Sequence, residues 1–487
     1  MKIYFRIIVL SIILITNTYG KTWRVQPDGE YKYCSDISNL VSDSDTILIE
    51  QGLYENDRQV SWTKNNLVII GVNKPILRAG DIIANDNSNG KGIFVIKGNN
   101  TLIENIEFQN CKVQSRNGAG IRQEGSNLIV RYCIFNGNEM GILQGGTIPD
   151  CKIVVEHCVF MNNGSTENPG YQHNIYINHI DTLIFRYNFT YDAIAEGHEL
   201  KSRANNNYIL YNRISNFSST DSRNIDLPNG GRAIIMGNII EQGENSSNSN
   251  IIGFGLEGLV NPPPHNLWIC SNTIVNRKNK GSFVNIANID TLFMKNNICV
   301  GAKTGGFIIG NASMLDTSHN FISDNINSPL FFDVNDEDYH LNSGSPAIDA
   351  GVELNEYAMG LKTQPEYEYQ DTSKFVLRNL NGTIDLGAYE FKTQTDIDNK
   401  IGFGNDEFVI FPNPATKSTN IFYKTESSEI IIQIINNLGS VVYSCVMQTH
   451  ESDNKINIDT ERLPVGVYYL FVKDKKKIHS EMLIVLD

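Results

Sequence analysis

Within residues 197–207, "GHELKSRANNN", a histidine, a glutamate, a lysine and an arginine fall inside the six positions from His198 to Arg203. A lysine of lowered pKa can take a proton, and an arginine fork can neutralise a planar carboxylate. With a phenol or a water as acid, this set suits β-elimination on a uronic-acid polymer. There the C5 proton becomes removable only once the neighbouring carboxylate has been neutralised. Arg203 would neutralise, Lys201 would be the base and Tyr176 the acid. Glu199 with Asp226, or with Asp192 and Glu196, could instead hold a calcium ion that does the neutralising.

Residues 25 positions apart must then be brought together, and the chain carries a repeat that does this. The segments "LIENIEF", "IVRYCIF", "VVEHCVF", "IFRYNFT", "ILYNRIS", "IIMGNII", "WICSNTI", "FMKNNIC" and "DTSHNFI" share one pattern. Their centres are read as Asn105, Cys133, Cys158, Asn188, Asn212, Asn238, Asn272, Asn297 and Asn320, spaced 23 to 34 residues apart. Each segment is short, β-branched and bounded by Gly, Asn or Ser, which reads as a strand between turns. Such a period predicts a parallel β-solenoid: one coil cannot bury its own apolar face, but coils stacked about 4.8 Å apart do so continuously. The asparagines are read as architectural, forming an amide ladder at a turn, with cysteine as a small buried filler of the same slot.

Strand alternation places Leu200 inside and Glu199, Lys201 and Arg203 outside, with His198 and Ser202 on the inward parity. One coil earlier, "NIYIN" turns Asn174 and Tyr176 outward; one coil later, "NIDLP" does the same for Asn224 and Asp226. Two outward columns are therefore expected, Asn174/Glu199/Asn224 and Tyr176/Lys201/Asp226. Arg203 stands beside them, Arg223 at a turn, and Glu257 extends the groove as a substrate contact together with His173 and His198. The competing reading is a plain salt-bridge network, in which Glu199 and Asp226 pair with Lys201, and His173 and His198 are core or turn residues.

A net charge of −14 over 487 residues argues against nucleic acid as a partner, since phosphate binding needs a clustered cationic surface. Residues 1–20 have the three parts of a secretory signal: Lys2 and Arg6, the apolar run 7–15, and Thr18 and Gly20 before the expected cleavage. No later stretch is long enough for a membrane helix. Eight cysteines lack metal spacing, and two occupy the repeat slot, which favours buried packing over a disulfide framework.

Over about residues 22–391 the chain resembles the right-handed parallel β-helix proteins of the pectate-lyase-like superfamily. The likeness rests on the opening "WRVQPDGEYKYCSDISNLVSDSDTILIEQGLYEN" and the closing "DYHLNSGSPAIDAG" and "IDLGAYEF". It implies an all-β chain with a right-handed parallel β-helix over 21–391; the polar, aperiodic stretch 392–407 that follows reads as a linker. The segment 408–487, with "FPNPA" and "LPVGVYYL", reads as a small β-sandwich and resembles the C-terminal sorting domain of the type IX secretion system. That likeness implies the type IX machinery as a partner, and a product released or held at the cell surface.

The stretch "HELKSRANNNYILYN" is similar to one in the chondroitinase B and alginate lyase family, whose catalytic lysine Lys201 would match. Where that family has Arg-His-Gly on the next coil, this chain has "LPNGG", so Arg203 or Arg223 would have to substitute. The expectation is an extracellular lyase on an anionic polysaccharide. The alternatives are a non-catalytic glycan-binding or adhesive β-helix and, third, a glycoside hydrolase using Glu199 and Asp226.

Overall fold

A computed structural model describes residues 20–85, 90–370, 373–380 and 382–392. In the C-terminal region it describes 408–411, 415, 418–423, 429–436, 441–449, 454–460, 462–464, 466–474 and 478–485. Of the expected signal segment 1–20 and the expected linker 392–407, residues 1–19 and 393–407 lie outside these residues.

Each coil contributes three short strands, and every pairing between coils is parallel. One face is an 11-stranded sheet running from Leu53–Glu55 to Phe321–Ser323, which sets the solenoid at about eleven turns. A second face stacks Thr22–Val25, Thr46–Ile49, Val68–Gly71 and their successors up to Asn266–Cys270. The third, which carries the candidate site, runs from Val60–Trp62 through Ile175–Ile177, Leu200–Ser202 and Ile225–Leu227 to Asn250–Phe254. The second and third faces join because the long strands Ser282–Lys295 and Ile308–Asp316 run through both.

The interior is a column of fully buried Ile, Val, Leu and Phe, among which Phe108, Phe135 and Phe160 stack ring on ring. At one corner the asparagine ladder forms as expected. Asn188 donates to Asn212, Asn212 to Asn238, Asn238 to Asn272, and Asn272 to Asn297, through side-chain bonds of 2.9–3.1 Å. Each of these amides also donates to a backbone carbonyl inside the stack, so buried donors are satisfied coil after coil. Cys158 fills the slot one coil earlier, its N–H donating to Asn188 Oδ1 at 2.9 Å.

One assignment is corrected. The register Phe108↔Phe135 puts Ile106, not Asn105, level with Cys133. Asn105 belongs to the neighbouring column, with Tyr132, His157, Tyr187, Tyr211, Gly237, Ser271, Asn296 and His319, all at φ between 51° and 68°. That left-handed corner disfavours most side chains. Here the tyrosines and His157 recover contact by stacking outside the coil, at centroid distances of 4.8–5.6 Å.

A short helix, Cys34–Ile37, supplies Cys34 and Ile37 to the core near the N-terminal end. The closing motifs lie against the 11-stranded face, where Tyr339, Ala347, Leu386 and Tyr389 pack on Ile239, Val275 and Ile298. All eight cysteines are free, and seven are buried. The C-terminal region forms a three-stranded and a four-stranded antiparallel sheet around a core of its own, including Ile421, Ile432, Leu470 and Leu483. Among the described residues, no helix is long and apolar enough to cross a membrane.

Candidate functional site

Cα partners on consecutive coils are Leu143, Tyr176, Lys201, Asp226 and Gly253, so the expected column Tyr176/Lys201/Asp226 stands in register. Lys201 leans along the column: its Nζ lies 2.7 Å from Glu257 Oε1 and 3.3 Å from Asp226 Oδ2. The second distance is an ion pair without hydrogen-bond alignment. Arg203, just past the end of the strand Leu200–Ser202, uses its whole fork. Nε donates to Tyr176 Oη at 2.9 Å, Nη1 to Asn229 Oδ1 at 2.6 Å and Nη2 to Glu257 Oε2 at 2.6 Å. Arg223 reaches Asp226 Oδ1 at 3.3 Å. Three cations thus meet two carboxylates on one rigid outer face.

The column Asn174/Glu199/Asn224 also exists, but it points inward, and this corrects the alternation argument. Alternation holds only within the strand Leu200–Ser202, and Glu199 sits at the corner before it, where the chain bends. A second amide ladder runs through that corner, from Asn138 to Asn163 to Asn174, and it ends on Glu199. Glu199 is fully buried, accepting from Asn174 Nδ2 at 2.5 Å, Thr190 Oγ1 at 2.8 Å and the Ala193 N–H at 2.8 Å. Burial raises its carboxyl to about 8, against the pull of those donors. Asn174 is likewise fully buried, and neither residue can touch a polymer.

Glu199 and Asp226 therefore share no site, and the calcium pair falls with them. Among the described residues, no group of three or more His, Cys, Asp or Glu is placed to hold a metal.

The bend also reverses the expectation for the histidines. His173 and His198 stack at 5.0 Å, and His173 stacks on the outward Tyr176 at 5.7 Å, so both rings line the site face. His198 Nδ1 accepts the Arg223 N–H at 3.1 Å, which places the proton of the neutral ring on Nε2, 3.6 Å from Asp226 Oδ2. Burial, reinforced by Lys201 and Arg223, pushes His198 down to about 3; burial and His198 depress His173. Both rings are neutral at ordinary pH.

Glu257, 56 residues beyond Lys201, joins Lys201 to Arg203 through its two carboxylate oxygens. Desolvation would raise it, but hydrogen bonds from Lys201 and Arg203 win and hold it at about 2. Arg203 is lowered by burial yet ends above the ordinary arginine value, because Glu257 and Tyr176 accept from it. Gly253 went unnoticed in the sequence: a Cβ there would lie 2.9 Å from both Arg223 Cδ and Asp226 Oδ1. Its empty place in the column gives Arg223 room to reach Asp226.

Residues 409–486 match the secretion system C-terminal sorting domain family. The tail is an export tag. It directs the protein through the type IX system to the cell surface or the extracellular space. The chain is also similar to ORF18 of Geobacillus virus E2, at 12% identity over 88% of this chain and 72% of that one, with a TM-score of 0.35. So slight a likeness carries no statement about fold or activity. No curated protein matches the chain.

Proposed function

We propose that this exported solenoid is a polysaccharide lyase acting on a uronic-acid polymer by β-elimination. One observation carries the reading: Lys201 and Arg203 close on a single carboxylate, that of Glu257, with the Tyr176 hydroxyl hydrogen-bonded to the same guanidinium. A substrate carboxylate placed there would be neutralised by Arg203, acidifying the adjacent C5–H. Lys201 Nζ takes that proton. The C5–H electron pair forms the C4=C5 double bond, the C4–O4 bond breaks, and the leaving oxygen takes the phenolic proton of Tyr176. Asp226 does not claim Lys201 alone, since Arg223 faces the same carboxylate. Tyr176 and Lys201 lie on paired strands of the stacked sheet and Arg203 directly follows one of them, which suits a site that must position three side chains at once.

The test is incubation of the purified protein with alginate, pectate and glycosaminoglycans, with and without calcium, while following ultraviolet absorbance of an unsaturated product. Absorbance should rise on at least one polymer and be lost in Lys201→Ala; a flat trace on all of them sinks the proposal. Binding without turnover is the second reading, favoured by the two ion pairs that hold the Lys201 amine. Retention on a uronate polymer with no product would select it. Hydrolysis through Glu199 and Asp226 is not retained, because Glu199 is sealed in the corner.

A further inference from the structure

Glu257 is placed unlike the residues it touches. Lys201 and Arg203 have side chains only 10% and 17% exposed, while that of Glu257 is 45% exposed and lies over them from the solvent side. Its carboxylate has the Lys201 and Arg203 bonds and no hydrogen bond to its own loop. The loop is held by other means: the Gly255 N–H donates to Leu227 O, the Glu257 N–H to Pro228 O, and Asn229 Nδ2 to Gly258 O. Leu259 packs on the core. The side chain can therefore swing out while the backbone stays. What remains is Lys201 Nζ and the Nη2 edge of the Arg203 guanidinium facing the space of one carboxylate, with the guanidinium held from its other edges by Tyr176 Oη and Asn229 Oδ1. That pair of cationic donors suits an acid better than any neutral sugar group.

We propose that Glu257 is an internal stand-in for a uronate carboxylate: it fills the anion site formed by Lys201 and Arg203, whose guanidinium Tyr176 orients, and an acidic glycan binds by displacing it. The choice of a uronate rests on the functional reading above; the plugged site rests on geometry alone. With Glu257 in place, a cation pair lying on an acidic protein is kept from capturing stray anions. With Glu257 displaced, Lys201 keeps the Asp226 contact, which Arg223 shares, and its place toward Glu257 opens to the incoming acid. On this view Glu257 competes with the ligand, and removing it improves binding. A residue that merely lined the groove would behave in the opposite way.

The experiment compares the whole exported protein with Glu257→Gln and Glu257→Ala by isothermal titration calorimetry. The probes are tetragalacturonate, tetraguluronate, a hyaluronan hexasaccharide and the methyl ester of tetragalacturonate. At least one free acid should bind each variant at least tenfold more tightly than the unaltered protein. The gain should vanish with the ester and in the double variant E257Q/R203Q. Equal or weaker binding of every free acid by both variants, with melting temperatures near that of the unaltered protein, overturns the proposal, as does failure of every protein to bind any probe. Glu257→Gln keeps the shape of the side chain and carries the test should Glu257→Ala not fold. The two proposals fail separately. Tighter binding without unsaturated product ends the lyase reading and leaves the displaced plug standing; product formation with no gain on substituting Glu257 does the reverse.

Discussion

The Nε–H of Arg203 points at the hydroxyl of Tyr176, 2.9 Å away on the preceding coil, while Nη1 and Nη2 reach Asn229 and Glu257 at 2.6 Å each. Three acceptors in three directions are served by one planar group. A lysine at this position could meet one of them.

Arg203→Lys should therefore behave like Arg203→Ala rather than like the parent, although charge is conserved. Loss of the fork leaves Tyr176 unoriented and the carboxylate held by one point instead of two. The expected fall in kcat/KM on the responsive polymer is at least about 100-fold, in line with the loss of a positioned charge-stabilising donor. Melting should move little, since Arg203 lies on the outer face and not in the core. A conservative variant that kept most of the rate would show that charge alone, without geometry, is what the site uses.

Gly253 tests the other end of the column. Its φ is not in the left-handed region, so alanine there meets only the steric problem. That problem is a Cβ at 2.9 Å from Arg223 Cδ and from the buried Asp226 carboxylate. Gly253→Ala should push Arg223 off Asp226 at a stability cost of about 1–3 kcal/mol, typical of an overpacked position. Asp226 would then fall to Lys201 alone, and activity should drop further than stability does. Retained activity would place Arg223 outside the working site.

Glu199 makes stability depend on pH in a defined direction. Its carboxyl titrates at about 8 when folded, against an ordinary value of 4.5, so between these limits the folded chain holds a proton that the unfolded chain has lost. Its contribution is therefore complete below pH 4.5 and is lost as pH rises through 8. His198 has the opposite sign. Held at about 3 against 6.5, it favours folding increasingly up to pH 6.5 and no further. The two separate above pH 6.5. Melting temperature should decline from pH 6.5 to 8.5 in the parent, and that decline should be shallower in Glu199→Gln. Equal slopes would show that Glu199 is already ionised in its corner.

Legibility in the sequence followed the physics of each element. The solenoid was readable because stacking imposes one apolar pattern on every coil, and the column Tyr176/Lys201/Asp226 because all three lie inside regular strands. Glu199 and His198 were misread because they sit on the bend before Leu200, where alternation no longer applies. Asn105 reads as a ladder residue because it too is an asparagine at a corner, though it occupies the left-handed position beside the ladder. The link from Glu257 to Lys201 and Arg203 spans 56 and 54 residues, and two coils of a spacing that varies along the chain left its position along the groove undetermined. Gly253 carried no signal, because its role is the space it leaves.

The last prediction concerns the tail. Among the described residues its core, which includes Ile421, Ile432, Leu470 and Leu483, shares no member with the core of the solenoid. A chain ending at 392 should fold and melt as the full protein does, within a few degrees. Because the export tag lies in 409–486, that shortened chain should stop short of the cell exterior. Fractionation of a host that possesses the type IX system, probed with an antibody to the solenoid, reads the outcome. The full protein is expected outside the outer membrane and the shortened one inside it. Equal amounts outside would mean that the signal for export resides in the solenoid. Loss of folding on truncation would mean that the two cores, separate in the structure, depend on each other in solution.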